Sequence, residues 1–187
     1  MKLPQTFYQR NTCTVAQDLL GCLLVSENKN VKSDERTSGI IIETEAYLGE
    51  KDPGSHAFKG KTKRTQIMYG EAGKAYVYLC YGKYYLLNVV TEATGTPGAV
   101  LIRALEPVEG IEIMKQRRSP QNTVELTNGP GKLTQALGVT KQHNGVDMTG
   151  NTLWIEPYTQ VNTADIYTTR RIGVADDQLL RFFISRF

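Results

Sequence analysis

Two carboxylates, Glu43 and Glu45, stand in a stretch that otherwise reads as a β-strand, Gly39-Ile40-Ile41-Ile42-Glu43-Thr44-Glu45-Ala46-Tyr47-Leu48-Gly49. Alternation along a strand sends Ile40, Ile42, Thr44 and Ala46 to one face. Ile41, Glu43, Glu45 and Tyr47 go to the other. The two carboxylates then stand roughly 6.5–7 Å apart. Strand interiors are poor in glutamate, so two of them need a reason. A carboxylate held beside a cavity can take a proton from water or stabilise a developing positive charge. The plainer alternative is a half-exposed strand with a solvated acidic face, which the alternation by itself favours.

Other residues of the same kind lie downstream. Arg103 interrupts the apolar run Ala99 to Leu105, and an arginine there needs a carboxylate such as Glu43 or Glu45. Asn88 sits between Leu87 and Val89, where a buried amide needs partners or awaits a ligand. Two β-prone runs, Tyr76 to Tyr81 and Tyr84 to Val90, flank Gly82-Lys83, which predicts a two-residue II′ hairpin. Tyr76 and Tyr78 share a face, and Tyr81 is pushed to the tip beside Lys83. That tip suits a nucleic-acid groove; cross-strand aromatic pairing explains it as well. Lys59-Gly60-Lys61-Thr62-Lys63-Arg64 carries four cations and no acid, and as an isolated feature is a solvated loop. Asn128-Gly129-Pro130-Gly131-Lys132-Leu133-Thr134 opens a helix whose start can hold a phosphate, without Walker spacing.

The elements that must position these residues follow from pattern. Thr12 to Leu20 is a helix with Val15, Leu19 and Leu20 as its apolar stripe and Gly21 as its stop. Strands are expected at Cys22 to Ser26, Ala99 to Leu105 (ended by Glu106-Pro107), Thr152–Glu156, Ile166–Ile172 and Arg181–Ile184. Asn28-Lys29-Asn30 begins a turn, and Asp52-Pro53-Gly54-Ser55 is a loop. Val108 to Arg118 is a helix whose early Glu109 and Glu112 and late Lys115, Arg117 and Arg118 suit its dipole.

The 187 residues suffice for one domain with a proper core, and the net charge of +3 permits an anionic partner without demanding one. Cys13, Cys22 and Cys80 lack ligand spacing and read as reduced thiols; with only His56 and His143 beside them, no metal site is expected. Met1-Lys2-Leu3-Pro4-Gln5 has no apolar run after its lysine, so no secretory leader and no membrane span are expected. The expected location is cytoplasmic, associated with the nucleoid in a prokaryote.

Taken together, several segments resemble the alkyladenine (3-methyladenine) DNA glycosylase family. They are Val15-Ala16-Gln17-Asp18-Leu19-Leu20-Gly21, Glu43 to Gly49 with His56 beyond, Tyr76-Val77-Tyr78 through Tyr81-Gly82 to Asn88, Leu101 to Pro107, Asn128-Gly129-Pro130 with Lys132-Leu133, and Arg171-Ile172-Gly173-Val174. They occur in family order over nearly the whole chain. Thr65, Glu71-Ala72 and Tyr84 depart from the pattern and bear on the loop that meets DNA.

The resemblance implies roles. Glu45 is the general base, with Arg103 and the carbonyl of Ile172 holding its water. Tyr47, His56 and Tyr78 wall a pocket for a flipped base, and Asn88 rejects a 2-amino purine. Tyr81 is the wedge, while Lys83, Met68, Arg64 and Lys132 lie near the strand. It implies an α+β domain, a curved and mostly antiparallel sheet with surrounding helices. The implied enzyme needs no cofactor and acts as a monomer on double-stranded DNA containing damaged purines. Two other classes compete: a nucleic-acid binding module without catalysis, and a hydrolase or transferase of small nucleosides. Glu45 and Arg103 speak against the first, because a pure binder gains nothing from carboxylates beside phosphates. The cationic loop and the Tyr81 tip speak against the second.

Overall fold

The computed structural model describes residues 1–28, 35–118 and 122–185, so the expected turn at Lys29-Asn30 lies outside the described residues. Among these, eight strands form one sheet: β1 (Leu23–Asn28), β2 (Glu35–Tyr47), β3 (Ala75–Cys80), β4 (Tyr84–Val90), β5 (Ala99–Glu109), β6 (Leu153–Glu156), β7 (Tyr167–Thr169) and β8 (Arg181–Phe183). Every pairing is antiparallel, in the order β3-β4-β5-β2-β1-β6. β8 continues the β1 edge of β2, and β7 pairs with β8. The sheet curls into a half-barrel. Helices α1 (Gln5–Tyr8), α2 (Thr12–Asp18), α3 (Ile111–Arg118) and α4 (Pro130–Leu137) pack around it. This is the α+β architecture that the sequence implied. No helix of the described residues is long and apolar enough to cross a membrane.

The hub is β2, with β5 along one edge and β1 then β8 along the other. Its two faces are used differently. Thr44 and Ala46 face α2, where the Thr44 hydroxyl donates to the Ala16 carbonyl at 2.8 Å. α2 is fastened by Asn11, whose side chain accepts from the amides of Cys13 and Thr14, a cap worth about 1 kcal/mol. The helix ends at Asp18, short of the Leu20 expected; Val15 on it and Leu19 and Leu20 just past its end are buried in the core, at roughly 1.5–3 kcal/mol per side chain. The opposite face carries Glu45 and Tyr47, and α4 begins above it.

Several boundaries differ from those read off the sequence. β5 runs on through Pro107 to Glu109. Pro107 pairs with Gly39 beside a register shift, where a missing N–H is tolerated. A Cβ at Gly39 would lie 2.9 Å from the Glu106 carbonyl oxygen, so glycine permits this approach. The helix expected from Val108 therefore starts at Ile111, after Gly110 with φ 70°. The strand expected from Ile166 to Ile172 is only Tyr167–Thr169; the chain then runs irregularly to β8.

The hairpin turn is also different. β3 ends at Cys80, and the Lys83 amide donates to the Cys80 carbonyl at 3.1 Å. The central residues of the turn are thus Tyr81 and Gly82, with φ 50° and 67°. Both being positive is the type I′ requirement, not II′ with Gly82 first. The glycine takes the second place, and a tyrosine bears the left-handed conformation.

Candidate active site

Strand register assembles the site. Glu45 pairs with Leu101, Leu101 with Asn88, and Asn88 with Tyr76. Paired residues point to one face, so this row crosses β2, β5, β4 and β3 on a single side of the sheet. Alternate residues of these strands floor a cavity of about 520 Å³, among them Tyr47, Tyr76, Tyr78, Asn88, Leu101 and Arg103. That volume is in the range of small-molecule sites. The irregular segment at Ile172–Val174, the start of α4 at Pro130 and Gly131, and the Ser55–His56 turn form its rim.

Glu45, fully buried, lies behind this floor at its β2 end, next to Tyr47, Arg103 and Ile172, which line the cavity. Two hydrogen-bond donors and one ion-pair partner converge on its carboxylate. The Ile172 amide donates to Oε1 at 2.7 Å, and the Tyr47 hydroxyl donates to Oε2 at 2.8 Å. Arg103 Nη1 lies 3.1 Å from Oε2. Arg103 also donates from Nε to Glu43 Oε1 at 2.9 Å, and the same oxygen accepts from Arg181 Nε at 2.6 Å. The irregularity of β2 explains how one arginine reaches both acids. Ile42 is an extra residue on β2 and Arg103 an extra one on β5, so the shifts cancel and regular pairing resumes at Thr44. Both of the carboxylates that seemed natural partners for Arg103 are its partners.

The aromatic wall is tightly coupled. His56 meets Tyr78 edge-on at 4.6 Å between ring centres, and Tyr76 lies 5.3 Å from Tyr78. His56 Nε2 faces Arg64 Nη2 at 3.3 Å, and Nδ1 lies 2.9 Å from the Tyr76 hydroxyl. Arginine can only donate, so Nε2 accepts and Nδ1 carries the proton. Crowding by the walls, helped by the Arg64 charge, lowers the His56 pKa to about 4. Burial, with the Glu45 charge next, raises Tyr47 well above an ordinary phenol. Burial does the same for Tyr78, so both stay protonated at neutral pH. Asn88 is buried and donates from Nδ2 to the Tyr76 carbonyl at 3.1 Å, so one half of its amide is committed to the sheet.

Residues expected near a DNA strand lie at the rim with one exception. Tyr81 is 95% exposed at the hairpin tip. Lys83 follows it, exposed, with its ammonium 5.1 Å from the centre of the Tyr84 ring. Arg64 is exposed and its guanidinium lies 4.9 Å from the Tyr78 ring centre. Lys132 is half-buried and bonded to Asn128. Met68 is instead buried in a small core with Ala57, Tyr76, Val90 and Ala99, and forms cavity wall; it offers no surface to a strand. Ile172 contacts Glu45 through its N–H, and its side chain is exposed.

Sequence reasoning did not find Asp52 and Arg171. Arg171 makes two parallel bonds of 2.6 Å to Asp52, and both side chains are wholly buried. It also donates to the Ala46 carbonyl at 3.0 Å and pairs with Asp176. Burial disfavours the Asp52 charge, but bonds from Arg171 and the Leu48 and Gly54 amides outweigh it and hold the carboxyl below its ordinary range. In the sequence Arg171 stands out only as the first residue of the family-like segment Arg171-Ile172-Gly173-Val174, which gives no sign of this partner.

A family model described as methylpurine-DNA glycosylase matches residues 6–186. A protein of Carboxydothermus hydrogenoformans is 47% identical, over 99% of this chain and 96% of its own length. One from Methanoculleus marisnigri is 45% identical over 99% and 96%, and one from Clostridium acetobutylicum 44% over 99% and 95%. All three are provisionally named 3-methyladenine DNA glycosylases. From Thr6 almost to its last residue, this chain belongs to the methylpurine-DNA glycosylase family.

Proposed function

We propose that this protein is a base-excision-repair glycosylase. It swings an alkylated or deaminated purine (3-methyladenine, 7-methylguanine, hypoxanthine or ethenoadenine) out of duplex DNA. It then hydrolyses the N-glycosidic bond with a water activated by Glu45, leaving an abasic site. The observation that carries this reading is a buried carboxylate held by Arg103, Tyr47 and the Ile172 amide, three residues that themselves line an aromatic cavity.

The chemistry asks for these groups. Departure of the base leaves positive charge on the sugar, and a fixed carboxylate stabilises it. Exchange of one of its present donors for a water O–H arms Glu45 as the base. Water oxygen then bonds to C1′ as the C1′–N bond breaks, one water proton passes to Glu45, and the bond electrons leave with the purine. Proton transfer of this kind is worth ~10²–10⁴-fold. An N-alkylated purine is already cationic, which favours its departure and its contact with tyrosine faces. A neutral base such as hypoxanthine needs a proton as it leaves.

Extrusion costs a few kcal/mol, least at a damaged or mispaired base. Stacking in the pocket returns roughly 1–3 kcal/mol, and Tyr81 fills the gap left in the duplex. Lys83, Arg64 and Lys132 adjoin three parts of the cavity rim and suit the flanking phosphates. The nucleophile is water and not an amine, so the enzyme is monofunctional; the same reading has it act as a monomer without a cofactor. Its place is the cytoplasm, on the nucleoid in a prokaryote.

The test uses two duplexes, one carrying a single hypoxanthine and one methylated with dimethyl sulfate, each cleaved by alkali after incubation. Alkali-labile sites with no borohydride-trapped protein–DNA adduct are expected. Intact strands in both, or a trapped adduct, contradict the reading.

A further inference from the structure

We infer that Arg171 is a positioning residue that aims the Glu45 carboxylate, with Asp52 and Asp176 holding it in place. The inference rests on the reading of Glu45 as the base.

Two neutral donors fix the direction of Glu45: the Ile172 amide and the Tyr47 hydroxyl. Arg171 governs both. It is the residue before Ile172, so anchoring its side chain anchors that amide in a segment with no regular secondary structure. Its guanidinium also stacks on the Tyr47 ring, 4.7 Å from the centre. It donates to the carbonyl of Ala46, the residue between Glu45 and Tyr47. One planar group thus touches β2 at the catalytic end, backs one donor and carries the other.

The anchor is built to prevent drift. Asp52 takes both Arg171 nitrogens in a fork, and Asp52 is itself held by the amides of Leu48 and Gly54 at 2.9 Å. There is no slack at Gly54: a Cβ there would lie 2.6 Å from both Arg171 Nη2 and Val174 Cγ1. A buried ion pair of this kind seldom stabilises a fold more than apolar packing of the same size would. Its advantage is direction, and a planar fork supplies direction that a lysine does not.

The test compares Arg171→Lys, Asp176→Asn and Glu45→Gln for thermal midpoint, single-turnover excision and affinity for two duplexes. One duplex carries the damaged purine. The other carries a pyrrolidine, a cationic mimic of the sugar, in its place. Arg171→Lys should bind the damaged-purine duplex within about twofold of wild type but excise it about 10- to 100-fold more slowly. It should bind the pyrrolidine duplex about 10-fold more weakly, because the carboxylate no longer faces the charge. Asp176→Asn, which keeps the Asp52 fork, should lose at least about threefold in rate; it decides the matter if the lysine variant does not fold.

Combined with Glu45→Gln, Arg171→Lys should change the residual rate by less than about twofold, since no carboxylate remains to aim. A purely structural role would weaken both duplexes together and would lower the rate equally in both backgrounds; either result overturns the inference. Wild-type excision by Glu45→Gln would instead refute the base assignment on which it rests.

Discussion

The Ile172 amide nitrogen lies 2.7 Å from Glu45 Oε1, although 127 residues of chain separate them. The bond ties an irregular segment to the central strand of the sheet and completes a set of three partners on one carboxylate. A charge-assisted bond of this sort contributes about 1.5–3 kcal/mol. Two such bonds and the ion pair with Arg103 let this carboxylate lie buried near the end of β2.

Arg103 spans two acids, so its loss is felt twice. Arg103→Ala leaves the Glu43 and Glu45 charges without that partner and should destabilise the fold by about 3–5 kcal/mol. Arg103→Lys keeps the charge but not the two-directional fork. It should retain most stability while losing at least about tenfold in single-turnover rate. Thermal melts and burst kinetics measure the two effects. A lysine variant with the wild-type rate would show that the guanidinium geometry is immaterial.

Tyr81 sits at φ 50° and is almost completely exposed. A non-glycine residue in this region is held there at about 1–2 kcal/mol, a pattern common where function has set the residue. Tyr81→Asn supplies a residue that tolerates the left-handed conformation. It should leave the melting temperature unchanged or raise it by a few degrees, while weakening binding to a lesion duplex. Equal affinity for that duplex, measured by fluorescence anisotropy, would refute the wedge.

His56 should titrate near pH 4, not 6.5. Between those values the unfolded chain binds more protons than the folded one. His56 therefore contributes stability fully above about pH 6.5, and this contribution declines as pH falls toward 4. In the free enzyme the ring is neutral throughout pH 5–8 and supplies no limb to the pH–rate profile there. An NMR titration of the imidazole checks this directly, and a midpoint near 6.5 would contradict the burial and the Arg64 charge that lower it.

The sequence made some of this site legible and hid the rest for physical reasons. Alternation alone put Glu43, Glu45 and Tyr47 on one face, because side-chain period in a strand is fixed by covalent geometry. The need of an internal arginine for a carboxylate pointed from Arg103 to β2. Pro107 misled because a proline normally ends a strand, and here a glycine on the neighbouring strand accommodates it. The hairpin turn misled because Gly82 marked the turn without saying which place it takes; the bond from the Lys83 amide to the Cys80 carbonyl settles that. Asp52 and Arg171 are two loop residues 119 positions apart. Neither lies in a periodic segment, and no local pattern announces a contact of that kind.

In the proposed reaction the Glu45 carboxylate takes the proton from the attacking water. Single-turnover excision by Glu45→Gln, on a duplex it binds as tightly as wild type does, tests this most directly. The rate should fall by about 10²–10⁴-fold with affinity preserved. A rate within about threefold of wild type would show that the proton goes elsewhere.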